Sequence, residues 1–129
     1  FEESMQKVNS RWGSKFEVEY LSNYKKLLSS KGLLKIHLTM YGELMTTKLK
    51  EIKSSKKDIM IIVGGSKVPP EIYDLADVNM SVTKQPISEI SAVAILLNEI
   101  GNGKALTSDF KDAKIKIIPE TRGKNIVKA

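Results

Sequence analysis

Cysteine is absent from this 129-residue chain, which excludes a disulfide framework and a thiolate metal site. The single histidine, His37, excludes a histidine-rich metal centre. Long apolar runs are missing as well. The longest spans residues 92–97, far short of the roughly 20 residues needed to cross a bilayer. No signal peptide is recognisable at the start. The expectation is one soluble, cytoplasmic domain over residues 1–129 with no metal and no membrane partner. A hydrophobic share of 41% beside 28% charged residues is ordinary for a chain that buries a single core.

Charge is unbalanced, with 21 basic and 15 acidic side chains giving a net +6. Lys111, Lys114, Lys116, Arg122, Lys124 and Lys128 form one basic group near the C-terminus. Lys48, Lys50, Lys53, Lys56 and Lys57 form another. A solubilising surface explains such an excess, and so does a polyanion such as nucleic acid lying across it.

The chain opens with Phe1, and Phe1, Met5 and Val8 recur at helical spacing until Gly13. A domain seldom begins in mid-helix, so a further N-terminal segment is expected before Phe1. Beyond Gly13 the pattern alternates. Strands are expected at residues 16–20, 33–40, 58–63, 79–82 and 113–118, and helices at 23–30, 44–53 and 87–100. DIMIIV at 58–63 is apolar almost throughout and reads as a strand buried on both faces. The order predicts an α/β fold, a mostly parallel sheet with helices on both faces.

Ligands of such sheets bind at the carboxyl ends of strands. Three of those ends are unusual. His37-Leu38-Thr39-Met40-Tyr41-Gly42 runs a strand into a glycine turn. Val63-Gly64-Gly65-Ser66-Lys67-Val68-Pro69-Pro70 places two glycines where backbone can approach a ligand. Val82-Thr83-Lys84-Gln85-Pro86-Ile87-Ser88-Glu89 leads into an apolar helix, with Pro86 suited to its first turn and free N–H groups there. Each has a plainer explanation. The glycine pair suits a tight turn and matches neither dinucleotide nor triphosphate fingerprints. His37 reads as a structural histidine and Lys67 and Lys84 as solvated; Trp12 and Tyr41 read as packing residues, with base-stacking platforms as the second reading on a basic protein. Glu89 complements a helix dipole.

In combination, HLTMYG, IIVGGSKVP with ExYxLAD, QPxSE and AKIKIIPETRGK closely resemble the archaeal tRNA cytidine-56 2′-O-methyltransferase family. The resemblance runs from Arg11-Trp12-Gly13 onward. It implies a SPOUT-type fold whose C-terminal part forms a trefoil knot, an exception to ordinary chain threading. It also implies that S-adenosylmethionine binds in a bent conformation. Carried over by residue, it assigns Leu38, then Gly64, Gly65, Ser66, Lys67 and Val68, then Val82, Thr83, Lys84, Gln85, Pro86, Ile87, Ser88 and Glu89 to the cofactor. Two positions depart from the family's GNQPHSE: Thr83 replaces glycine and Ile87 replaces histidine. A glycine-only backbone conformation at Thr83 would be strained.

The resemblance further implies a homodimer with the helix at 87–100 in its interface, and tRNA as partner. The implied reaction transfers methyl from the sulfonium to a ribose 2′-hydroxyl in the T-loop, without metal. A catalytic arginine belongs to a GHRPxRD-like N-terminal motif in related enzymes. Arg11 and Arg122 do not match it, so the catalytic residues are unassigned. Two alternatives stand beside this reading: a non-catalytic RNA-binding module with a SPOUT-like shape, and a flavodoxin-like nucleotide-binding domain.

Overall fold

A computed structural model describes residues 1–65 and 67–128. The chain divides into two compact units, one formed by residues 1–22 and 108–129 and the other by residues 23–107.

The second unit carries the sheet. Its elements are α2 (Tyr24–Leu28), β1 (Leu33–Leu44), α3 (Met45–Ser54), β2 (Asp58–Val63), α4 (Pro70–Leu75), β3 (Val78–Ser81) and α5 (Glu89–Ile100), with α1 (Glu2–Trp12) preceding them in the other unit. β1 pairs in parallel with both β2 and β3, giving the order β2-β1-β3. This is the α/β, mostly parallel arrangement that the alternation predicts. The elements also lie where the periodicity places them, apart from shifts of a few residues at their ends.

Side-chain alternation along β1 sorts the two faces. Ile36 and Leu38 join Val78 and Met80 of β3 in a core closed by Met45 and Ile52 of α3 and Ala92 and Leu96 of α5. His37 lies on the opposite face, its ring 4.8 Å from that of Tyr73 on α4 in an edge-on contact. α4 starts on the paired prolines, with Pro70 in its first turn, where the missing N–H costs nothing.

Two expectations about this unit change. The apolar strand at 58–63 is an edge strand, half-buried over residues 59–62 and exposed at Asp58 and Val63. With a neighbour on one side only, its side chains keep partial access to solvent, and the central place falls to β1. Helix α5 begins later than the apolar run, at Glu89. Ser88 caps it by accepting the Ser91 N–H at 3.2 Å, so Pro86 precedes the helix rather than occupying its first turn. Its C-terminus closes through Asn102 and Gly103, both at positive φ, with the Gly103 N–H reaching the Asn98 carbonyl at 2.9 Å.

The first unit contains α1, β4 (Ile115–Ile117) and β5 (Ile126–Lys128). Its two strands pair antiparallel. The strand expected at residues 16–20 does not form. Phe16 and Tyr20 are exposed, and without a ladder partner alternation alone does not make a strand. The end of the C-terminal basic group, where no strand is expected, supplies β5. Among the described residues, no helix is long and apolar enough to cross a membrane.

Candidate functional site

A cavity of 310 Å³ opens at the carboxyl ends of β1, β2 and β3, within the range of small-molecule sites. All of its walls belong to the second unit.

The first wall is the end of β1, where the ladder with β3 is interrupted. Leu38 and Glu43 both stand opposite Met80, so the four residues 39–42 bow out of register. Gly42 makes this possible. A Cβ there would overlap the Met80 amide nitrogen and lie 2.5 Å from the Asn79 carbonyl. The bow is tied down at its start. Thr39 Oγ1 accepts the Tyr41 N–H at 3.3 Å and lies 3.1 Å from the Tyr73 hydroxyl. Thr39, Met40 and Tyr41 all line the cavity.

The second wall is Val63, Gly64, Gly65 and Val68. The two glycines differ in their surroundings. A Cβ on Gly64 would overlap a methyl of Val68, whereas one on Gly65 would meet, its chain neighbours aside, no atom of the described residues within 4 Å. Gly65 thus leaves open space beside the cavity. Ser81, Val82, Ile87, Glu89 and Ala92 form the third wall. The Ser81 hydroxyl donates to the Thr83 carbonyl, and the Gln85 N–H reaches Thr83 Oγ1 at 3.3 Å. Asn102 is the one non-glycine at positive φ among the described residues. Thr83 therefore adopts a backbone that any residue tolerates, and the expected strain is absent.

Beneath the cavity lies a polar layer of buried side chains. His37 is fully buried, its Nδ1 2.9 Å from Asn79 Oδ1. Asn79 Nδ2 donates to the Tyr73 carbonyl at 2.9 Å, which orients the amide and leaves its oxygen to accept from His37. His37 Nε2 has no hydrogen-bond partner among the described residues. The structural role expected for His37 holds, and the same residue also contributes to the cavity wall.

Of the residues assigned from sequence, Leu38, Gly64, Gly65, Val68, Val82, Ile87 and Glu89 come together around the cavity. Lys67, Thr83, Lys84, Gln85, Pro86 and Ser88 are on the same loops but outside its lining. Ser66 lies outside the described residues. His37, Thr39, Met40 and Tyr41 sit in the strand-end motif already singled out, though only Leu38 of it was assigned. Tyr73 belongs to the ExYxLAD motif but was not assigned to the site, and Met80 and Ala92 carried no signal of their own. One expectation is reversed: Tyr41 is 81% exposed and is not a packing residue. Trp12, in the other unit, is half-buried.

The basic groups are differently occupied. Lys48 bridges Glu43 at 3.2 Å and Glu51 at 3.7 Å, and Lys53 donates to Asn102 at 2.8 Å. Lys67 and Lys84 are exposed, as expected. So are Arg11 and Arg122, both in the first unit.

Comparison with known proteins points the same way. Residues 12–127 match the family model described as tRNA ribose 2′-O-methyltransferase, aTrm56. Similar curated proteins, each named tRNA (cytidine(56)-2′-O)-methyltransferase, come from several archaea. The one from Pyrococcus horikoshii is 45% identical over 97% of this chain and 63% of its own length. That from Archaeoglobus fulgidus is 47% identical over 97% of this chain and 73% of its own. For Methanocaldococcus jannaschii the figures are 44%, 98% and 73%. The chain thus spans 63 to 73% of the length of these relatives. A family match over nearly the whole chain, with the cavity built from three of the four motifs that carry the likeness, establishes that it belongs to the tRNA ribose 2′-O-methyltransferase family.

Proposed function

We propose that this chain binds S-adenosylmethionine in the cavity at the ends of β1, β2 and β3, and that it serves 2′-O-methylation of tRNA at cytidine 56. The carrying observation is the convergence of three separate strand-end loops on one cavity. The lining suits the donor's chemistry. Leu38, Val82 and Ile87 offer apolar surface for an adenine. The open space at Gly65 admits close backbone approach. Glu89 brings a carboxylate to the wall, favourable for a cationic sulfonium or ammonium group.

When bound, the donor supplies an electrophilic methyl group. The chain's own contribution is to hold and orient it. The bowed β1 end and the capped α5 fix two walls before any ligand arrives, so little ordering is left to oppose binding. Lys67 and Lys84, exposed on the cavity loops, offer positive charge to an RNA backbone.

Family membership supports reading both units as parts of one SPOUT domain with a trefoil knot, working in the cytoplasm as a homodimer. Exposed Ile90, Ile95 and Leu97 on α5 support that helix as the interface. Isothermal titration calorimetry with S-adenosylmethionine tests the site. The parent chain is expected to bind with measurable heat, and Gly65→Val is expected to abolish it. Because the valine Cβ meets no atom of the described residues beyond its chain neighbours, folding should survive, which circular dichroism checks. No binding by the parent chain removes the cofactor reading; full binding by the variant removes Gly65 from the site.

A further inference from the structure

We propose that Tyr41 is a stacking platform for a nucleobase of the RNA substrate at the mouth of the methyl-donor cavity; this rests on the reading of that cavity given above. Three observations carry it. Tyr41 lines the cavity and is nevertheless 81% exposed, with Met40 beside it 49% exposed. Large aromatics are ordinarily spent on cores, so this ring is held out at a cost in exposed apolar surface.

Its presentation is also rigid. The bow carrying it begins and ends opposite Met80, and Gly42 seats its far end directly on the β3 backbone. The Tyr41 N–H is held by Thr39, which in turn meets Tyr73. A backbone seated on such a pedestal leaves little chain entropy to lose when a flat partner lies against the ring it carries.

Finally, the surroundings select the partner. The protein carries net +6, and exposed Lys67 and Lys84 project from the two other loops that line the same cavity. An aromatic plane among cations suits a nucleic acid, its base on the ring and its phosphates on the lysines. The reaction requires the same arrangement. A ribose hydroxyl reaches the cavity only if its nucleotide is drawn out of the RNA stack, and the displaced base then needs a new surface to cover it.

The test uses the whole chain and a fluorescein-labelled tRNA transcript, read by fluorescence anisotropy. Tyr41→Ala is expected to weaken RNA binding about tenfold, in line with the loss of one base–aromatic stack. Tyr41→Phe and Tyr41→Trp should bind as the parent does, because each keeps the ring. The dependence on salt should be unchanged in Tyr41→Ala and shallower in Lys84→Ala, since stacking releases no counterions. Circular dichroism should show the parent's fold in every Tyr41 variant.

RNA binding by Tyr41→Ala equal to the parent's would overturn the proposal. So would a Tyr41→Phe variant as weak as alanine, which would make the hydroxyl the contact. A parent chain that binds S-adenosylmethionine but no RNA overturns the platform and leaves the cofactor site standing. One that binds neither overturns both.

Discussion

Gly42 concentrates much of the site's geometry in one missing side chain. Any other residue would drive a Cβ into the backbone at Asn79 and Met80, where nothing yields as a flexible side chain would. Gly42→Ala is therefore expected to lower stability by about 3 kcal/mol, at the severe end of overpacking. Urea unfolding followed by circular dichroism measures this, and a midpoint equal to the parent's would contradict the tight seating of the bow. Gly65 stands at the other extreme, with free space where a side chain would go. Both belong to motifs legible in the sequence. Which glycine serves packing and which serves a ligand was not legible, because that depends on what chain segment passes alongside.

Between elements, Lys48 ties the end of β1 to α3. Its ammonium meets Glu43 just past the bow and Glu51 one turn along the helix. Hydrogen bonding to Glu43, then the charges of Glu43 and Glu51, hold the Lys48 pKa above its ordinary value of 10.5. A raised lysine pKa means that the stabilisation is fully present below about pH 10.4, the unfolded value, and fades as pH rises through the higher folded value. Both carboxylates are largely exposed, so solvent screening keeps the effect small. The melting temperature of Lys48→Met should fall slightly below the parent's near neutrality, and the gap should close in strongly alkaline buffer. A gap that persisted there would mean that the clamp is not electrostatic. The charge pattern announced a basic face here; the fold uses part of it internally.

For the molecule as a whole, α5 poses the main question. Ala92 and Leu96 are buried in the core, yet Ile90 is 84% exposed on the same helix. An all-round apolar helix ordinarily signals burial on every side. If the dimer proposed above forms through this helix, Ile90→Lys should give a monomer in sedimentation equilibrium. The thermal transition of each subunit's fold should survive, since the replaced side chain faces solvent. A parent chain that sediments as a monomer at micromolar concentration would remove the dimer, and with it this account of the exposed isoleucine.

By itself the sequence determined the alternation of helices and strands, the parallel sheet and the three strand-end motifs. Local periodicity and turn residues carry that information in short windows. Its likeness to known methyltransferases determined the family. Long-range neighbours decided the rest. β1 became central and the more apolar β2 an edge, because lateral pairing is set by other segments. Residues 16–20 stayed unpaired and 126–128 found a partner for the same reason. At the site, Met80 joined the cavity through packing that no local pattern records, and Tyr73, though part of the ExYxLAD motif, was placed there by the helix that carries it. Tyr41, an aromatic that composition alone would send to the core, was turned outward on the four residues, 39–42, that have no partner on β3.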